Sequence, residues 1–69
     1  MKLISIDTGY RLHTSVMVFF NNIEYYVKID NYANEDKTFD NLNHRKIRKD
    51  SKIHKLLVKF AQEKIAEQA

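Results

Sequence analysis

Residues 14–29 read TSVMVFFNNIEYYVKI, and the two adjacent asparagines at the centre of this stretch decide the fold. An Asn-Asn pair tolerates the positive φ angles that both central residues of a type I′ turn require, so Asn21-Asn22 predicts a two-residue β-hairpin. The opposed residues are then Phe20 with Ile23, Val18 with Tyr25, Val16 with Val27, and Thr14 with Ile29. A slip of one residue would move this apolar set to the other face, so the pattern itself specifies the register.

A second reversal is predicted upstream, at Asp7-Thr8-Gly9. A three-residue loop that ends in glycine fits a type I turn closed by a G1 bulge, in which glycine supplies the left-handed conformation. The predicted pairs are Ile6 with Tyr10, Ile4 with Leu12, and Lys2 with Thr14. The two turns together predict a three-stranded antiparallel meander over residues 2–30, with strands near 2–6, 10–20 and 23–30 that share one apolar face.

The C-terminal third predicts a connector followed by one helix. Residues 31–43 show neither strand nor helix periodicity, so a connector is expected over 31–49, with Tyr32, Phe39 and Leu42 packed at the edge of the core. An amphipathic helix is predicted over 50–67, capped by Asp50 or Ser51. Its apolar stripe comprises Ile53, Leu56, Leu57, Phe60, Ala61 and Ile65. His54 is expected at the partly buried rim of that stripe.

These elements predict one domain over residues 1–69. An apolar helix stripe laid across the apolar face of a meander gives an α+β architecture of two layers, in the order βββα. At 69 residues without a cysteine, the domain is near the size at which one hydrophobic core only just offsets chain entropy. Burial of a second surface against a partner is therefore an expected source of stability.

The formal charge is concentrated in one stretch of the chain. The total is +3, but residues 44–59 hold seven cations and a single acid, Asp50, and so carry +6, which leaves −3 for the rest. The seven cations are Arg45, Lys46, Arg48, Lys49, Lys52, Lys55 and Lys59. Such a surface attracts phosphate backbones, and an acidic protein surface is the alternative anion.

One helix cannot cover the second face of the meander. In the predicted register, the candidate interface residues on this face are Arg11, His13, Met17, Phe19, Tyr26 and Lys28. An apolar centre at Met17, Phe19 and Tyr26 favours a protein interface, most simply a homodimer, because a small domain gains stability by burying apolar surface. Rings beside cations are also typical of sheets that stack the bases of RNA or single strands, and this alternative stays open.

One segment has the form of a catalytic motif. The sequence Ile4-Ser5-Ile6-Asp7-Thr8-Gly9 resembles the opening strand of ribonuclease H-like and actin-like proteins, in which the aspartate holds a metal ion or contacts phosphate. The resemblance covers at most the first 30 residues, and those families need further parallel strands and carboxylates that 69 residues do not supply. The residues are also fully explained as turn formers.

Other features of the sequence argue against an enzyme. The chain has no cysteine and one glycine, and its three histidines lie ten or more positions apart. Nucleophile elbows, phosphate-cradling loops and zinc sites need residues in a spacing and context that this sequence does not contain. We therefore expect no catalytic residues, no metal, no cofactor and no small-molecule substrate.

The sequence predicts a small, non-catalytic, basic binding protein. We expect it in the cytoplasm, because no apolar run is long enough to span a bilayer and no secretory signal is evident. The leading hypothesis is that the seven cations contact nucleic-acid phosphates, in DNA or RNA. The alternative is a protein modulator or inhibitor, comparable to phage proteins that act on host proteins, which docks its exposed sheet face or basic helix onto an acidic protein surface.

Overall fold

The structure is a computed structural model that describes residues 1–32 and 35–68. Its elements are β1 (Lys2–Asp7), β2 (His13–Phe20), β3 (Ile23–Asp30), β4 (Lys37–Asp40), β5 (Arg45–Lys46) and α1 (Lys52–Gln68). The strands form one antiparallel sheet in the order β1-β2-β3-β4-β5, and α1 packs on one face of it, against β2, β3 and β4. The predicted α+β class is confirmed, but the predicted sheet of three strands is wrong because the segment assigned as a connector adds β4 and β5.

The β2–β3 hairpin has the predicted register at every position. Phe20 lies opposite Ile23, and Val16 lies opposite Val27. Asn21 and Asn22 have φ angles of 53° and 63°, which are the positive values that a type I′ turn requires. The side chains of Val16, Val18 and Val27 are fully buried, so the face that the turn selects is the core face.

The predicted β1–β2 turn is wrong. Lys2 lies opposite Phe19 rather than Thr14, and Ile6 lies opposite Val16 rather than Tyr10. The bulge is in β1, where the register shifts between Leu3 and Ser5, and not at Gly9, whose φ angle is not positive. Because the bulge inserts one residue, Leu3 and Ile6 both pack against the core, whereas Ile4, predicted to be inside, is 46% exposed.

The reason for this error is a contact from a distant part of the chain. The Asp7 carboxylate accepts a hydrogen bond from the Gly9 N–H at 2.8 Å and turns the chain just after β1. Residues 8–12 then form a loop that Asn31 holds, since the Asn31 N–H donates to the Leu12 carbonyl at 3.0 Å. Leu12 is 62% exposed in this loop, and β2 begins at His13. Residues 10–12, which were predicted in the strand, therefore belong to the loop.

Residues 37–46 form a hairpin instead of the predicted connector. Phe39 lies opposite Tyr26 and Lys46, while Thr38 is fully buried on the core side. Of the three residues expected at the core edge, Tyr32 and Leu42 are exposed, and the half-buried Phe39 lies on the sheet face away from the core, so this prediction is wrong. The four-residue turn between β4 and β5 ends at His44, whose φ angle is 53°.

The β4–β5 turn is organised by the carboxylate of Asp40. It accepts hydrogen bonds from the Leu42 N–H at 2.9 Å, the Asn43 N–H at 3.3 Å and the Asn43 side-chain amide at 3.0 Å. The bond from the Asn43 side chain is the main cause that lowers the pKa of Asp40. The backbone N–H groups and the guanidinium of Arg45 act in the same direction, and desolvation opposes them.

The helix begins where its capping residue predicts. Ser51 Oγ accepts a hydrogen bond from the His54 N–H at 3.3 Å and donates one to the Arg48 carbonyl at 2.6 Å, which confirms Ser51 as the N-cap. The buried helix residues are His54, Leu57 and Ala61. Leu56 was predicted in the stripe but is 43% exposed, and His54 was predicted at the rim but is buried, so the stripe is rotated towards His54.

Candidate nucleic-acid interface

The structure divides the seven predicted cations among three neighbouring segments. Arg45 and Lys46 lie in β5, Arg48 and Lys49 lie in the loop after it, and Lys52, Lys55 and Lys59 lie on α1. All seven side chains are exposed. The placement of Arg45 and Lys46 on a strand was not anticipated, and it separates them from the helix.

The loop cation Lys49 joins the helical cations on one surface. The hydrogen bond from Ser51 to the Arg48 carbonyl holds the loop against the start of α1. Lys49, Lys55 and Lys59 then line one open recess of about 380 Å³, and Lys52 precedes Lys55 by one helical turn. We call these four residues, Lys49, Lys52, Lys55 and Lys59, the basic stripe.

Acidic residues reach part of this surface. Glu35 lies 3.9 Å from the ammonium groups of both Lys46 and Lys49, and Asp50 lies 3.0 Å from the guanidinium of Arg48. Within the described ranges, no carboxylate lies within 4.0 Å of the ammonium groups of Lys52, Lys55 or Lys59. These three helical lysines are therefore available to an external anion.

Asp36 also lines the recess, where its carboxylate has a structural role. Its carboxylate accepts a hydrogen bond from the Asp30 N–H at 2.9 Å and a longer one from the Gln62 side-chain amide at 3.4 Å. It therefore connects the end of β3 to α1. The recess is a mixed surface, cationic along the helix and acidic towards residues 35 and 36.

The sheet face away from α1, here the outer face, contains five of the six residues predicted for it. Met17 lies opposite Tyr26, and Lys28 and Phe19 follow on the same side by strand alternation. His13 lies opposite Asp30 and stacks on Tyr10 with ring centroids 4.6 Å apart. The sixth, Arg11, was wrongly placed because it lies in the loop of residues 8–12 and not in a strand.

Three residues of the outer face were missed because β4 and β5 were not predicted. Phe39 lies opposite Tyr26, Lys37 lies opposite Lys28, and Lys46 lies opposite Phe39. The only signal in the sequence was the short segment Lys37–Asp40, a β-branched and an aromatic residue between the turn formers Asp36 and Asn41. Four residues are too few for periodicity to decide between strand and loop.

Two side-chain hydrogen bonds that order these surfaces were not predicted. Thr38 Oγ1 and His54 Nδ1 are 2.8 Å apart and both residues are buried, so this hydrogen bond joins β4 to α1. Ser15 Oγ and Tyr26 Oη are 2.6 Å apart, a bond that ties the Tyr26 ring to the neighbouring strand. Thr38 and His54 are 16 positions apart, which periodicity does not detect, whereas Ser15 and Tyr26 are diagonal neighbours in the predicted hairpin.

The basic stripe and the outer face lie on opposite sides of the sheet. Because α1 covers the core face, its solvent side and the outer face point in opposite directions. They approach each other at the β5 edge, where Lys46 belongs to the outer face and Lys49 to the stripe, and Glu35 lies 3.9 Å from both ammonium groups.

Within residues 1–32 and 35–68, no three His, Cys, Asp or Glu side chains come together in a way that could hold a metal ion. Nor does this part of the chain contain a helix with the length and apolar character needed to cross a membrane.

Compared with known proteins, the chain matches no family model, no curated protein and no solved structure.

Proposed function

We propose that this protein binds nucleic acid without catalysis, by contacts between the basic stripe and backbone phosphates. The observation that supports the proposal best is the arrangement of Lys49, Lys55 and Lys59 around one open recess, with Lys52 one turn away. Like charges spaced three and four positions apart mildly destabilise a helix. A cationic surface kept at this cost, without carboxylates close to its three helical members, fits an anionic partner.

The geometry suits a phosphate backbone. Lys52 and Lys59 are seven residues apart, which corresponds to about 10 Å along the helix axis, the length of about three nucleotides of a strand. Each phosphate that a lysine neutralises releases condensed counterions, so binding weakens as salt rises. Four contacts predict a slope of log K against log salt of about −3 to −4.

The remaining cations act as flanking contacts. Arg48 is paired with Asp50, and Glu35 lies between Lys46 and Lys49, so a phosphate at these positions must first displace a carboxylate. These pairs are exposed, and exposed pairs of this kind contribute little to stability, so their displacement costs little. We place this activity in the cytoplasm.

Fluorescence anisotropy with labelled oligonucleotides of about 20 nucleotides tests the proposal, over about 25 to 200 mM salt. The double variant Lys55→Gln/Lys59→Gln should weaken binding at least about tenfold at the lowest salt and reduce the salt slope by about 1.5 to 2. A matched control is Lys2→Gln/Lys64→Gln, which removes the same charge outside the stripe and should have a much smaller effect. Equal losses of affinity in the two double variants would mean that net charge, and not the basic stripe, determines binding.

An acidic protein surface is the alternative partner for the same cations. If no oligonucleotide binds even at the lowest salt, the proposal fails and this alternative takes its place. Capture of a cellular protein that is lost in Lys55→Gln/Lys59→Gln and retained in the matched control would then identify the stripe as a protein-binding surface.

A further inference from the structure

The outer face contains a second cluster of cations, arranged around aromatic rings. In register, Tyr26 lies opposite Phe39, Phe39 lies opposite Lys46, and Lys28 lies opposite Lys37 in the adjacent row. We call these five residues, Tyr26, Phe39, Lys28, Lys37 and Lys46, the sheet platform. Among the described elements the only helix packs on the other side of the sheet, so the platform is open.

The juxtaposition of Lys28 and Lys37 has a cost. Like charges directly opposite each other in an antiparallel pair destabilise a sheet. Both side chains are half-buried, and the ion pairs of the described ranges include neither of them. Lys46 lies on the other side of Phe39 in the register, so three lysines neighbour the aromatic pair, and Lys46 already has the Glu35 carboxylate at 3.9 Å. An anionic ligand on this face would relieve the repulsion between Lys28 and Lys37.

The two rings are held in place before any ligand binds. The centroids of Tyr26 and Phe39 are 5.8 Å apart in an edge-on arrangement, and the Tyr26 hydroxyl is bonded to Ser15. Both rings are half-buried, so part of each stays accessible. Fixed rings lose little conformational entropy on binding, which favours flat, stacking ligands.

We infer that the sheet platform binds single-stranded nucleic acid, with bases stacked on Tyr26 and Phe39 and phosphates near Lys28, Lys37 and Lys46. Stacking needs unpaired bases, so a duplex is not the ligand of this face. The inference rests on the proposed function and specifies its substrate class. A flexible strand could continue from Lys46 around the β5 edge to Lys49, and so join the platform to the basic stripe.

The acids near the platform mark its limits. Lys28 and Lys37 also line a recess of about 280 Å³ with His13, Asp30 and Glu35, and the carboxylates of Asp30 and Glu35 repel phosphates beyond this lysine pair. At the opposite end, Glu24 lies beside Phe19 in the row that follows Tyr26. The platform is therefore confined to the centre of the sheet and its β5 side, and Phe19 is outside it.

Phe39→Leu tests the stacking, because it removes the ring and keeps an apolar side chain. Anisotropy titrations should show at least about a fivefold loss of affinity for a single strand of about 20 nucleotides and no change for the duplex of the same sequence. Phe19→Leu is the matched control on the same face and should change neither. Thermal unfolding checks that both variants fold.

Lys37→Gln tests the contribution of the lysines to single-strand binding, and it does so even if Phe39→Leu is unstable. It should raise the melting temperature slightly, because it removes a like-charge pair, and lower single-strand affinity about two- to fivefold. A residue with a purely structural role would not move stability and binding in opposite directions. Lys2→Gln controls for net charge, because Lys2 lies on the same face but in β1, four strands away from β5.

Three outcomes overturn the inference. If Phe39→Leu and Lys37→Gln bind single strands normally while Lys55→Gln/Lys59→Gln does not, the proposed function stands and the platform is not part of it. If no oligonucleotide binds, both fail. If light scattering shows a dimer that Phe39→Leu converts to a monomer, the face is an interface with a second copy of the chain.

Discussion

The β2–β3 hairpin and the β1–β2 connection differ in what determines them. In the hairpin, the φ angles of Asn21 and Asn22 fix the register, and the strands agree with it at all positions. In the connection, Asn31 holds the loop from 19 or 20 positions away, and the bulge near Ile4 changes which residues of β1 face the core. A turn encoded by its own residues can be predicted, whereas a loop held by a residue distant in the sequence cannot.

The largest expected difference in stability is between a substitution in the hairpin core and a substitution in the loop. Val27→Ala should lower the free energy of unfolding by about 2 kcal/mol, because Val27 is fully buried in β3. Leu12→Ala should lower it by less than about 0.5 kcal/mol, because Leu12 is mostly exposed. Urea denaturation measures both, and similar losses would mean that the loop is packed like the strand.

Substitutions in the two turns should differ in the same way. Asn22→Val should cost about 1 to 2 kcal/mol, because a β-branched residue tolerates a φ of 63° poorly, while Asn22→Gly should be nearly neutral. Gly9→Ala should cost less than about 0.5 kcal/mol, since Gly9 has no positive φ and the added Cβ would meet only the flexible Asp7 carboxylate, at 3.0 Å. A larger loss of stability for Gly9→Ala than for Asn22→Val would instead support the predicted G1 turn at Gly9.

The side-chain hydrogen bond that joins Asn31 to β2, next to the loop, can be isolated with a double-mutant cycle. The Thr14 hydroxyl donates to Asn31 Oδ1 at 3.1 Å, so Asn31→Ala should cost about 1 kcal/mol. Thr14→Val removes the other half of the same hydrogen bond. If this bond carries the effect, the double variant should be less destabilised than the sum of the single variants. Strict additivity in urea denaturation would show that Asn31 acts by other means.

The smallest effect is expected at the third turn, between β4 and β5. The native hydrogen bonds lower the pKa of Asp40, so the stability that they provide is present above the ordinary aspartate pKa of about 3.9 and is lost as pH falls through the lower native pKa. Amide chemical shifts of Leu42 and Asn43, followed by NMR, should therefore move towards unfolded values at acid pH. Asp40→Asn should lack this transition, and an identical transition in that variant would assign it to another group.

The predictable parts of the fold are those that short-range rules determine. The Asn-Asn turn, the Ser51 cap and the amphipathic period of α1 each depend on residues within a few positions, and each is present. Strand β4 has four residues and β5 has two, so neither shows a period. Strand β4 is held by pairing with β3 and by the buried bond between Thr38 and His54, which are 16 positions apart, and β5 is held by pairing with β4.

The same limit applies to the candidate site. The cations of the helix could be assigned to one surface because helical geometry relates Lys52, Lys55 and Lys59 directly. The addition of Lys49 to that surface depends on the folded loop, and the addition of Phe39 and Lys37 to the outer face depends on the missed hairpin. Arg11 was lost from the outer face for the converse reason, since a residue predicted in a strand lies in a loop.

The irregularity in β1 has a consequence for how molecules of this protein behave at high concentration. An open sheet presents unpaired backbone groups along its outermost strands, and these invite other chains to add to it. Here one border strand is interrupted at Ile4 and the other is only two residues long. A neighbouring molecule cannot extend either border over a full strand length, which protects the protein from growing into fibrillar assemblies.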